Sequence, residues 1–329
     1  MSRNILTHPD QIDTLRRTDY GFFGPESVAW KVWTHPTILL GLQRAVALQF
    51  LNPYFAAAHE DAKGVYQRPA HFFDMTLSFL LSGILGDSRT ALTTSDFIMD
   101  IHTRVTGIEP ISKKRYNANS PEAQLFTHID GWQSMLKCYE VFGPGALPAA
   151  EETQYWAECA VAAELFTCKA EDIPRSREGV RAYYAQLRPR LCISEHALSG
   201  LRQQLYTSGP YADPKVSIIS RIAAPATLAT FPKWIRVLIG LDQPAVVDRI
   251  SVPVVREVFH AVARSRRASW TMVGVASPMA GRILRQHWRS GEPARPEVLT
   301  PAIARQANGR PTRRSGEAAL HATDPSRKG

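Results

Sequence analysis

The chain has 329 residues, 44% of them apolar, enough for one large domain or two small ones around a sizeable core. Its net charge of +9 is diffuse: residues 291–329 hold seven Lys and Arg against four Asp and Glu, and no aromatic-and-basic motif accompanies the rest, which argues against a nucleic-acid partner. Four scattered cysteines without a Cys-x-x-Cys pair, no apolar leader behind Arg3, Asp10 and Asp13, and no run near the roughly 18 apolar residues of a membrane span point to a soluble, cytoplasmic protein.

Residues 1–18 are polar and read as an N-terminal arm, loose or a short helix. Two glycines and a proline among aromatics over 19–27 predict a tight turn under an apolar lid. A short helix follows over 27–33. The next covers 36–51, with Pro36 in its first turn and Leu39, Leu42, Val46 and Phe50 along one face. Asn52-Pro53 interrupts it and 54–60 resumes it. A loop over 61–70 leads into a helix over 69–85 that carries Phe72, Phe73, Met75, Thr76, Phe79 and Leu80 and ends near Gly86.

Residues 94–107 read as one helix. Thr94 or Ser95 caps it, Asp96 meets the positive end of its dipole, and Gly107 supplies a left-handed stop. Phe97, Ile98, Ile101 and Val105 form its apolar stripe, and His102 lies on or beside that stripe. Pro110 opens a polar loop. Ser120-Pro121-Glu122 starts a strong helix, with Leu125, Ile129, Trp132, Leu136 and Tyr139 as its packed seam and Gly143-Pro144 as its stop. Further helices are expected over 150–168, 175–188, 194–206, 215–230, 232–240 and 243–265, with a last packed segment over 267–289. From Gly291 the composition predicts a disordered tail. The fold class is therefore all-α, with an arm over 1–18, a helical domain over 19–290 and a tail over 291–329.

The chemistry centres on two histidines. An imidazole on an apolar helix face needs a partner, whether a hydrogen bond, a metal or a haem iron, and this applies to His102 and to His128 on the next helix. There is no His-Glu-x-x-His, zinc spacing, Gly-x-Ser-x-Gly or Gly-x-Gly-x-x-Gly. Glu158 and Glu164 lack the histidine partners of a di-iron bundle.

Four segments together resemble the oxygenase MpaB family, which shares its catalytic domain with the latex-clearing proteins (rubber oxygenases). They are residues 20–30, the stretch from Arg44 to Pro53, residues 102–107, and residues 116–128. The resemblance covers roughly 19–290. It implies a single globin-like multi-helix domain around a haem b pocket, and oxidation of a hydrophobic, often isoprenoid, substrate with molecular oxygen. It places the iron ligand at His102. The arginine that follows that ligand in rubber oxygenases falls on Thr106, and their distal Arg-x-x-Lys-Thr pattern falls on Phe72, Met75 and Thr76. Only the threonine survives, so His71 or Arg68 is the nearest basic substitute on the distal side. Glu60 is the nearest residue to the family's catalytic glutamate. The resemblance thus implies Thr76, His71 and Arg68 as catalytic residues and His102, Phe72, Met75, Thr106 and His128 around the cofactor. The alternative is a haem- or lipid-binding protein of the same fold without turnover.

Overall fold

A computed structural model describes residues 17–206 and 214–309. Within them the protein is all-α, with one two-stranded ribbon. The first helices are α1 (Val28–Trp33), α2 (Ile38–Gln49), α3 (Pro53–Ala62), α4 (Gly64–Gln67), α5 (Pro69–Leu85) and α6 (Ser88–His102). The ribbon pairs β1 (Thr106–Ile108) with β2 (Arg115–Asn117). Next come α7 (Pro121–Phe142), α8 (Ala149–Ala163), α9 (Arg177–Leu187), α10 (Glu195–Tyr206), α11 (Pro214–Ala229), α12 (Lys233–Leu238) and α13 (Ala245–Ala263). The order ends with α14 (Arg266–Ala276), α15 (Pro278–Arg289) and α16 (Pro301–Ala307).

Helix starts follow the local chemistry. Ser27, Asn52 and Ser120 each accept a hydrogen bond from a first-turn N–H, and Pro53, Pro69 and Pro121 occupy the first helical turn. The long α7 packs along α2 at the centre of the molecule. The two backbones approach so closely at Gly41 that a Cβ there would lie 2.4 Å from Met135 Sδ. Trp33, Leu42, Phe50 and Trp132 fill the space around this pair, each contributing about 1.5–3 kcal/mol by leaving water.

Several boundaries differ from the sequence reading. The helix bearing His102 begins at Ser88, because Asp87 and not Thr94 accepts the first-turn N–H, that of Thr90. Its buried side is Ala91, Leu92, Ser95 and Met99, while Ile101 is exposed. It ends at His102. Gly107 lies in β1, where the Tyr116 ring crosses it so tightly that a Cβ would sit 2.6 Å from the phenol oxygen; close approach, not a left-handed stop, explains this glycine. The polar loop after Pro110 is the turn of that ribbon. The loop over 61–70 contains α4, and the segment over 267–289 breaks at Ser277, whose hydroxyl donates to Asp74 Oδ1 at 2.6 Å.

Structure also continues past Gly291. Backbone N–H groups of Arg295 and Leu299 donate to the carbonyls of Thr18 and Gly21, and Arg305 on α16, almost fully buried, donates to Asp96 on α6 at 3.1 Å. The helical domain thus extends beyond its expected limit at 290 and takes in residues 17 and 18 of the expected arm. Residues 1–16 of that arm and the expected tail from 310 onward lie outside the described residues.

Candidate functional site

The helix α5 has two unlike sides. Leu77, Leu81, Ile84 and Leu85 are buried in the core, whereas Phe72, Met75, Thr76 and Phe79, at i, i+3, i+4 and i+7, share the other side and stay half-buried. Helices α3 and α6 flank this open face. The His59 ring on α3 meets the Phe72 ring edge-on at 5.6 Å, and Phe97 on α6 meets Phe79 at 5.9 Å. One turn earlier on α3, Phe55 meets Phe126 of α7 at 5.2 Å. The Thr76 hydroxyl has no hydrogen-bond partner among the described residues. By contrast, Thr34, Thr127 and Thr153 each donate to the carbonyl one turn back. The face is thus three apolar side chains with one free hydroxyl among them.

His102 ends α6. Its Nδ1 accepts a hydrogen bond from Gln124 Nε2 of α7 at 3.2 Å, and the same amide nitrogen donates to the Ala118 carbonyl at 2.6 Å. Nε2 of His102 has no partner among the described residues. Desolvation lowers the imidazole's pKa, so the ring is neutral at physiological pH. A half-buried neutral imidazole with one nitrogen held and the other free can accept a proton, donate one or bind a metal.

Two residues at this place were missed by the sequence reading. Gln124 is one. His59 is the other: burial pushes it down to about 4, it stacks against Phe50 at 5.0 Å, and its Nε2 donates weakly to Gln49 Oε1 at 3.4 Å. The spacing of Phe55 and His59, one helical turn apart after the Asn52-Pro53 start, is the one sequence signal for its inward face, and its partners on α2 and α5 carry none.

The other expected residues lie elsewhere. Arg68 and His71 are exposed and line a shallow surface cleft with Gln67 and Ala70. His71 is about 140° around α5 from Thr76, so helix geometry keeps it off the open face. Thr106 is exposed on β1, paired with Asn117, because the chain has left the helix by that point. His128 is buried, its Nε2 donating to the Cys159 carbonyl at 2.7 Å beside Trp132 and Phe166; burial pushes it down to about 4. That is a satisfied structural histidine. Glu60 is exposed, 3.4 Å from His196, and lines a different pocket of about 220 Å³ with Glu109 and Cys192.

Residues 30–305 match the family described as ER-bound oxygenase mpaB/B'/Rubber oxygenase, catalytic domain. The chain belongs to this family. No curated protein and no solved structure matches it. Membership makes it an oxygenase catalytic domain, hence an oxidoreductase whose chemistry consumes oxygen and a substrate. The matched range contains α5, α6, α7 and the whole open face, and it reaches α16, in keeping with the contact between Arg305 and Asp96.

Proposed function

We propose that the protein is a haem b-dependent oxygenase that oxidises a hydrophobic chain, of the isoprenoid class, with molecular oxygen. The observation that carries this reading is His102: a desolvated, neutral imidazole with Nε2 free, at the end of α6 in an oxygenase domain. The donor suits a haem iron in kind, since iron takes a neutral imidazole nitrogen. When bound, the haem would supply the redox chemistry that delivers oxygen to a carbon chain.

The protein's own residues do the rest. His102 would hold the iron through Nε2. That assignment sets a condition on Gln124. Its amide now donates to Nδ1, which leaves the ring proton on Nε2; ligation needs the proton on Nδ1 and an acceptor facing it. Turning the amide end for end presents its oxygen to Nδ1 and gives up the bond to Ala118. Phe72, Met75 and Phe79 would orient an apolar chain and exclude water. The Thr76 hydroxyl is the one polar group on that face and would place a hydrogen bond beside the reacting atoms.

The test is an absorption spectrum and a pyridine haemochrome assay on protein made with ample haem supply. A Soret band at about one haem per chain is expected. A colourless protein that also refuses added haem sinks the reading. A second reading, a haem- or lipid-binding protein without turnover, is favoured by Phe72 and Met75 standing where rubber oxygenases carry basic residues. Oxygen uptake with polyisoprene oligomers separates the two, because only the oxygenase consumes oxygen in step with product.

A further inference from the structure

The molecule's exposed large apolar side chains are unevenly placed. Nine of the fifteen among the described residues fall between α11 and α13: Ile218, Ile219 and Ile222 on α11, Val237 and Leu238 on α12, and Val246, Ile250, Val254 and Val258 on α13. On α13 the four recur every fourth residue over three turns, a continuous stripe pointing away from the core. The opposite side of α13 is satisfied: Val255 and Phe259 pack with Ala226, Leu40 and Phe142, and Gln243, just ahead of the helix, donates to the Pro225 carbonyl of α11. The stripe is therefore a surplus face that the fold leaves in water, larger than scattered surface leucines would explain.

Charge says what covers it. The net charge that reads as diffuse along the sequence is concentrated here: residues 214–267 contain nine Lys and Arg against three Asp and Glu, +6 of the chain's +9. Arg221, Lys233, Arg249, Arg264, Arg266 and Arg267 are exposed and have no ion-pair partner among the described residues. Arg236 is the exception, bound to Asp242 and Asp248. One acid, Glu257, stands within the stripe, 4.0 Å from His260. A second copy of this chain is a poor occupant, because a two-fold pair would bring two patches of +6 together. An apolar stripe with unpaired Arg249 beside it on the same helix and Arg264 at that helix's end fits a surface that is oily inside and anionic outside.

We propose that the α11–α13 face is a docking surface for an anionic lipid membrane, on which the protein lies without crossing it. Val246, Ile250, Val254 and Val258 sink to the acyl boundary, and the surrounding Arg and Lys meet lipid phosphates. No helix among the described residues is long and apolar enough to span, which suits a face that lies in the interface. The proposal does not depend on haem: it concerns a surface on different helices from the candidate site.

The test is co-sedimentation of the full chain with vesicles of phosphatidylcholine alone and of phosphatidylcholine with 30% phosphatidylglycerol. Binding should be at least tenfold stronger to the anionic vesicles and fall steeply between 0.1 and 0.5 M salt. The double variant Ile250→Ser/Val254→Ser, both positions exposed, should lose at least fivefold with an unchanged melting temperature. Arg264→Gln should lose about fivefold, and Glu257→Gln should gain. Equal binding to both vesicle types, or binding untouched by the serine variant, overturns the proposal. So does absence of vesicle binding together with a dimer in sedimentation velocity that the serine variant dissociates, which would make the face a contact between copies.

Discussion

The ring of His128 is sealed between Trp132 and Phe166 with its Nε2 bound to a carbonyl of α8, while the ring of His102, one helix earlier, keeps one nitrogen free at the end of α6. Both residues sit on helices next to apolar neighbours, and both are held neutral by desolvation. The difference lies in what closes over them. His128 is covered by α8, which brings the Cys159 carbonyl to it; His102 meets α7 from one side only, through Gln124. Each ring makes one hydrogen bond; the one sealed among aromatic rings contributes to the fold, and the one left half-exposed keeps a nitrogen available for chemistry.

Substitutions break this comparison cleanly. His102→Ala should cut haem content at least tenfold, measured by haemochrome assay; unchanged content would remove His102 from the iron. His128→Ala should act on stability instead, costing about 2–4 kcal/mol in urea unfolding through a cavity and an unpaired carbonyl, with haem per folded molecule preserved. If haem were lost with stability intact, the two histidines would have exchanged roles. Met75→Lys places a basic group on the open face of α5 and should shift the Soret maximum by several nanometres; a spectrum identical to the parent would mean that Met75 does not face the iron.

The smallest effects are in pH dependence. His35, His59 and His128 are pushed down to about 4 and His287 to about 3, each chiefly by desolvation. A histidine whose folded pKa lies below its unfolded value near 6.5 binds fewer protons folded than unfolded. Stability is therefore whole above about pH 6.5 and declines as pH falls toward 4. Asp130 on α7 runs the other way: desolvation raises it to about 7 against the attraction of Arg44. Its contribution is present below its unfolded value near 4 and is lost as pH rises through 7. Asp130→Asn should raise the melting temperature at pH 8 and leave it unchanged at pH 4; a fall at pH 8 would show that the charge on Asp130 is wanted.

The legible parts of the chain were those with local punctuation. The helix over 69–85 was readable to the residue, because Pro69 opens it and Gly86 closes it, and Ser120-Pro121-Glu122 marked α7 equally well. The start of α6 was not, since Thr94 and Ser95 looked like caps and Asp87, the true one, sits behind a polar stretch that reads as loop. The ribbon of three-residue strands escaped because it is held by Tyr116 lying on Gly107 and donating to Asp61, a contact with no local pattern. At the site, Phe72, Met75 and Thr76 share a face as their spacing required. Arg68 and His71 fell away because nearness along the chain is not nearness around a helix, and Thr106 because the spacing taken from the resemblance needs a helix that here ends at His102. His59 and Gln124 were hidden for the opposite reason: their partners come from other helices.

The contact of α16 with α6 bears on the order in which the protein can be finished. Asp96 and Arg305 are 209 positions apart, so a ribosome that has delivered α6 must still make most of the chain before its clamp arrives. Until then the helix that ends in His102 lacks its outer brace. A stop codon placed after α15 would take Ala304 from the edge of the core and leave the candidate iron helix without its Arg305 clasp.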